Sequence, residues 1–173
     1  NALRVGSTTA TGQVLRESVG LLDCLDWVQA RVQEFPQTAA PGGTRTAWGL
    51  AAAYKNTGFG GGAPDAAEAE VEVYADGRAE VRTSSADLGQ GLTTVLAQIA
   101  AEVLGLSFER VHVLLSDTDL CPDGGPTTAS RQTFVSGNAT RLAAQGLRRH
   151  LADVAAERWD LPPESIRFEE GEL

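Results

Sequence analysis

Two stretches of this 173-residue chain gather side chains able to hold a polar ligand. In the first, Asp87-Leu88-Gly89-Gln90-Gly91-Leu92-Thr93-Thr94, glycines stand between the end of an expected strand and the start of an expected helix. Backbone N–H groups exposed beside a helix N-terminus attract anions. Gln90 adds an amide that both donates and accepts, which suits the edge of a ring carrying mixed hydrogen-bonding groups. Taken alone, Gly-x-Gly before a helix is as often a plain turn. In the second stretch, Gly124-Gly125-Pro126-Thr127-Thr128-Ala129-Ser130-Arg131-Gln132, three hydroxyls, an amide and a guanidinium crowd next to glycines, again ahead of a helix. One of Thr127, Thr128 or Ser130 would suffice as an N-cap, and the surplus points to a phosphate or another polar group. Both loops on helix starts in one small domain suggest a phosphorylated, ring-containing cofactor.

The elements that must position these loops follow from hydrophobic spacing. Leu21, Cys24, Leu25, Val28 and Val32 recur at helical intervals until Pro36 forbids continuation. The Pro/Gly/Thr-rich stretch 37–43 reads as a linker, so the expected organisation is an N-terminal segment over 1–43 and an α+β lobe over 44–173. Trp48 to Tyr54 reads as a strand, followed by a glycine-rich loop at Gly58-Phe59-Gly60-Gly61-Gly62. Ala69, Val71 and Val73 alternate with glutamates, as Ala79, Val81 and Thr83 do with Glu80, Arg82 and Ser84, predicting two antiparallel strands. A two-residue turn would set Val73 opposite Glu80 on the apolar face. A three-residue loop, Ala75-Asp76-Gly77 with a left-handed glycine, instead pairs Tyr74 with Arg78, Val71 with Val81 and Glu70 with Arg82.

Leu92, Leu96, Ile99 and Val103 predict a second helix closed by Gly105, Val111 to Leu115 a strand, and Ala139, Ala143, Leu147, Leu151 and Val154 a long helix ending before Pro162-Pro163. A strand is expected to begin at Ile166. The sum is an α+β fold with helices packed on a mostly antiparallel sheet.

Composition removes several function classes. A net charge of −9 repels phosphate backbones, and no basic cluster interleaved with aromatics relieves it, so nucleic acid is not an expected partner. No apolar run approaches the roughly 20 residues of a membrane helix. Two cysteines without a Cys-x-x-Cys pair signal neither a disulfide framework nor a zinc site, which fits a reducing, cytoplasmic compartment. The start at Asn1, the absence of methionine and the end within an apparent strand are what a piece cut from a longer chain would show.

Other candidates have bland readings. Glu102 is expected on a helix surface, and Glu68, Glu70 and Glu72 on a solvated strand face. His112 and His150 have no partner evident in the sequence. Cys24 falls on an apolar stripe and is expected in a core, while nothing near Cys121 would activate its thiol.

The order and spacing of Asp87 to Thr94, Gln98-Ile99, Leu104-Gly105, Ser116-Asp117-Thr118, Gly125 to Gln132 and Gly137-Asn138-Ala139 resemble consecutive segments of the molybdenum hydroxylases, the xanthine dehydrogenase/aldehyde oxidase family. Asn1, Thr11 to Leu15, Ser18-Val19-Gly20 and Gly49 to Gly58 resemble it too, so the likeness spans most of the chain. It implies a fragment of the molybdopterin-binding large subunit of an oxidoreductase that hydroxylates aldehydes or purine-like N-heterocycles with water-derived oxygen. The implied cofactor is molybdenum-molybdopterin, with or without an appended cytosine dinucleotide. Its implied partners are the remainder of the molybdenum subunit, iron–sulfur and in some cases flavin subunits or domains, and a small-molecule substrate.

By the same resemblance, Gly89, Gln90 and Gly91 form the glutamine loop that contacts the cofactor from one side. Thr127, Thr128, Ala129, Ser130, Arg131 and Gln132 grip the pterin and its phosphates, with Ala129 nearest the metal. The family's catalytic glutamate belongs to a downstream motif absent from these residues, so no catalytic residue is assigned and the fragment alone is expected to be inactive. The competing reading is a non-catalytic α+β domain whose glycine-rich loops are turns or a partner-docking surface.

Overall fold

A three-residue turn fixes the register of the first two strands. Gly77 takes φ +79° and its N–H donates to Tyr74 O at 2.9 Å, while Tyr74 N donates to Arg78 O at 2.8 Å. Strands β1 (Glu70–Val73) and β2 (Ala79–Thr83) therefore pair antiparallel with Glu70 opposite Arg82 and Val71 opposite Val81, as the charge pattern required. The computed structural model describes residues 3–35, 42–43, 45, 47–60, 62–169 and 171–172. Pro36 and most of the 37–43 linker, with Asn1, lie outside them.

Helix α2 (Leu92–Leu104) carries the chain from β2 to β3 (Val111–Leu115), which joins β2 in parallel, Val81 opposite Val113. A parallel neighbour needs such a crossover, whereas a tight turn suffices for an antiparallel one. The fold is thus the expected α+β, with one antiparallel and one parallel pair in the order β1-β2-β3. Alternation identified the third strand and could not give its direction.

Leu92 and Leu96 are buried on α2 together with Ala97, Ala100, Ala101 and Leu104, and the last four cluster with Ala79, Val81 and Val111 of the sheet. Gly105 ends the helix at φ +68°, the left-handed C-terminal position. A side chain there would collide with Phe168 O, so glycine is required twice over.

Helix α3 (Val135–Trp159) packs on α2 through a stripe that differs from the expected one. Its buried residues are Ser136, Gly137, Thr140, Ala144, Ala155 and Ala156; of the expected stripe, Leu147 packs partly buried against the core, whereas Val154 is exposed. Small residues let the two helices approach: a Cβ on Gly137 would come within 3.0 Å of Ile99 Cδ1. A search for large apolar residues overlooks such a face.

The chain forms two compact units, Asn1–Lys55 and Asn56–Leu173. The first contains helix α1 (Leu21–Gln33), which buries none of its residues, so Cys24 is exposed rather than part of a core. Where a strand was expected over Trp48 to Tyr54, the backbone has no regular structure. At the other end, Ile166 to Phe168 follow a 3-10 turn over Pro163–Ser165, and the nearby pairing is a single bridge between Glu169 and Glu172.

Candidate functional site

The first loop closes on a carboxylate. Asp87 Oδ1 accepts from the N–H groups of Gly89 at 2.9 Å and Gly91 at 3.2 Å, and Oδ2 accepts from Thr93 N at 3.0 Å. The helix N-terminus expected to be open to an anion is therefore occupied by the protein's own anion. These backbone donors, Thr93 first and then Gly89, hold the Asp87 carboxyl below its usual range. Gly89 at φ +100° and Gly91 at φ +81° make the tight path possible, and open space lies where a Cβ would stand on either. Gln90 is exposed, yet its amide braces the loop: Oε1 accepts from Leu88 N at 2.5 Å and Nε2 donates to Ala86 O at 2.9 Å.

In the second loop, Arg131 is fully buried. Nη1 donates to Gly124 O at 2.9 Å and Pro126 O at 3.0 Å, Nη2 to Ala66 O at 2.6 Å, and Nε to the carboxylate of Asp65. The guanidinium thus knits its own loop together and is not presented to a phosphate. Gln132 is also buried, donating to Thr127 Oγ1 at 2.8 Å and accepting from Ser85 Oγ at 3.0 Å and from Ser136 Oγ.

Ala129 and Ser130, by contrast, stand at φ +50° and +51°, two successive non-glycine residues in the left-handed region. Each such residue costs about 1–3 kcal/mol, which the surrounding structure must offset. Thr128 and Ser130 are exposed, and among the described residues neither hydroxyl has a hydrogen-bond partner.

The two loops meet. Ala86 N donates to Thr127 Oγ1 at 2.8 Å, and Gly124 N donates to Ser84 Oγ at 2.8 Å. Gly124 lies so close to the strand end that a Cβ would collide with Thr83 Oγ1 and sit 2.5 Å from Ser85 Oγ. A third segment joins them, with Gly58 N donating to Ala129 O at 2.8 Å and Phe59 N to Asp65 Oδ2 at 3.1 Å. Beside it lies a cavity of about 310 Å³ with Phe59, Phe134, Val135 and Arg131 in its walls. Asp65 and Phe59 were not singled out from the sequence; no local pattern marks a pairing 66 residues long. Asp87 stands four residues ahead of the Gly91 N-cap, so the usual capping position does not mark it either.

The remaining candidates lie apart from this site. Glu102 is exposed. Glu72 and Glu80 face each other across the hairpin, where like charges repel, and Arg82 reaches both. His112 does have a partner, Glu80, with Nδ1 3.0 Å from Oε2. Cys121 is half-buried, with Sγ 3.5 Å from Leu114 O.

Residues 21–173 match the sequence profile of the molybdopterin cofactor-binding domain. The chain belongs to that family, within the molybdenum hydroxylases. It is 42% identical over 101 residues to a nicotinate dehydrogenase subunit of Pseudomonas putida, an alignment covering 58% of this chain and 8% of that protein. It is 34% identical over 153 residues to aldehyde oxidoreductase of Megalodesulfovibrio gigas, covering 85% of this chain and 16% of that one. Among solved structures, the aldehyde oxidoreductase from Desulfovibrio gigas superimposes with a TM-score of 0.61 at 25% identity, over 92% of this chain and 19% of the other. This chain therefore spans a small part of its relatives' length. No helix among the described residues is long and apolar enough to cross a membrane.

Proposed function

We propose that the two loops form one wall of the molybdopterin site in a molybdenum-dependent hydroxylase or dehydrogenase acting on an aldehyde or a purine-like N-heterocycle. The observation that carries this reading is the pair Ala129-Ser130: a loop that keeps two left-handed residues in place while the hydroxyls of Thr128 and Ser130 stay idle. Strain of this kind persists where a ligand site needs the geometry. The donor set fits the group. Two hydroxyls and the turned backbone of a left-handed pair suit the acceptor atoms of a pterin or phosphate, and the open space above Gly89 and Gly91 lets a flat ring approach the main chain.

When bound, the cofactor supplies the two-electron redox chemistry that hydroxylates a substrate with oxygen from water. The roles assigned to this chain are binding and orientation. Thr128 and Ser130 would donate to the cofactor, the open face at Gly89, Gln90 and Gly91 would let its ring pack on the adjoining side, and Ala129 would be the loop residue nearest the metal. Thr127, Arg131 and Gln132 serve the same site from behind, holding the loop in shape. The group carries or lacks an appended cytosine dinucleotide. No residue here is assigned as acid or base, and the chain alone is expected to be inactive. An iron–sulfur domain or subunit, joined in some cases by a flavin one, and the remainder of the molybdenum subunit are the partners of this reading. The relatives' names include xanthine, a purine, and aldehyde, and also nicotinate, an N-heterocycle of another kind.

The non-catalytic reading gains support from Asp87 and Arg131, which satisfy their own loops, but it leaves the strain at Ala129-Ser130 without a purpose. Metal and pterin analysis of the full-length protein, purified from cells that make the cofactor, separates the two. Close to one molybdenum and one pterin per chain is expected; their absence would overturn the enzyme reading.

A further inference from the structure

A guanidinium cannot shed its charge, so a fully buried one needs an anion and a complete set of acceptors. Arg131 is such a group, with three carbonyls and the Asp65 carboxylate around it. Asp65, one-fifth exposed, does more than neutralise it. While Oδ1 accepts from Arg131 Nε, Oδ2 accepts from Phe59 N, and the Arg131 guanidinium lies 5.4 Å from the centre of the Phe59 ring. Gly58, one residue back, donates to Ala129 O, and a Cβ on Gly58 would stand 3.0 Å from Asp65 Oδ2. One carboxylate therefore touches the buried cation of the second loop and the backbone of the cavity wall facing it.

We propose that Asp65 is a positioning residue: its two oxygens clamp Arg131 and the Phe59 N–H, holding the Gly58–Phe59 segment against the loop that carries Ala129 and Ser130. The proposal rests on the cofactor-site reading for what is positioned, but the clamp itself is a property of the chain. Arg131 is immobilised by its own loop, so it serves as the fixed end. The Phe59 N–H and the Ala129 carbonyl are the ends that move if Asp65 lets go. The low proton affinity of the carboxyl, set first by Arg131 and then by the Phe59 N–H, keeps both bonds in place at neutral pH.

The test uses the full-length, cofactor-loaded protein and two variants, Asp65→Asn and Asp65→Glu, with Asp76→Asn at the hairpin turn as control. Three quantities are read: amide hydrogen exchange over 57–60 and 128–131, molybdenum per chain after dialysis, and melting temperature. Positioning predicts that both Asp65 variants exchange about tenfold faster or more in those two segments. Exchange in α2 and β2 should stay as in wild type, and molybdenum retention should fall. Asp65→Glu keeps the charge and lengthens the reach, so it should keep a near-wild-type melting temperature and still loosen both segments. Should Asp65→Asn fail to fold, Asp65→Glu decides. Unchanged exchange at 57–60, or faster exchange spread evenly through the domain with a lower melting temperature, would overturn the proposal. If the wild type carries no molybdenum, the functional reading fails and the exchange data alone judge the clamp. If a loaded wild type is matched by variants that keep both protection and metal, the clamp fails and the functional reading stands.

Discussion

The Ala86 N–H donates to the Thr127 hydroxyl at 2.8 Å, joining two loops 41 residues apart, and the same oxygen accepts from Gln132 Nε2 at 2.8 Å. Thr127→Val keeps the shape and strands both donors. A buried donor left without a partner costs about 1–3 kcal/mol, so denaturant titration should show a loss in that range. Thr127→Ser keeps the acceptor and should stay near wild type. A loss for serine with little or none for valine would mean that the methyl group, and not the shared hydroxyl, sets the stability here.

Gly124 and Gly89 should separate crowding from strain. Alanine at 124 would push a Cβ against Thr83 Oγ1 and Ser85 Oγ and strain the Gly124 N bond to Ser84, at a cost of about 3 kcal/mol, the upper part of the overpacking range. Alanine at 89 enters open space and meets only the strain of a left-handed backbone, about 1–2 kcal/mol. Thermal unfolding of the two variants should rank them in that order; the reverse order would show that the seam at Thr83 and Ser85 yields.

Asp87 predicts a pH dependence with a definite sign. Its folded-state pKa is depressed, so the stability it contributes is present above the ordinary carboxylate range and is lost as pH falls through the folded value. Wild type should melt a few degrees above Asp87→Asn throughout roughly pH 5 to 8, and the gap should close in acid. A gap that widens as pH falls through the carboxylate range would show that the charge does not hold the start of α2.

Gln90→Ala should lower melting temperature and molybdenum content together, because the amide both braces its loop and stands beside the proposed site. A variant that lost only one of the two would show that bracing and binding are separable at this position.

Local chemistry was legible and distant pairing was not. The hairpin register could be worked out because Glu80 on the apolar face was intolerable and Gly77 could turn left-handed, both decided by residues close in sequence. The α2 stripe and Gly105 were readable for the same reason. The charge of Arg131 beside glycines and hydroxyls suggests a phosphate ligand, but its anion, Asp65, is 66 residues away and no periodicity announces it. The face of α3 hid in small residues, since Ser136, Thr140 and Ala144 carry little hydrophobic signal although all three are buried. The direction of β3 depends on a crossover, which alternation does not encode.

Ser130→Ala tests the central claim most directly, because the Ser130 side chain is exposed and has no hydrogen-bond partner among the described residues, so its removal breaks no internal hydrogen bond there. Losing one hydrogen bond to a charged cofactor costs about 1.5–3 kcal/mol, roughly ten- to hundred-fold in binding. Molybdenum per chain should therefore be measured across a dialysis series for wild type and Ser130→Ala, with melting temperature alongside and Glu70→Ala as control. Ser130→Ala is expected to melt as wild type does while losing molybdenum roughly tenfold more readily or faster still, and Glu70→Ala to change neither. Wild-type molybdenum retention in Ser130→Ala would contradict the assignment of these loops to the cofactor site.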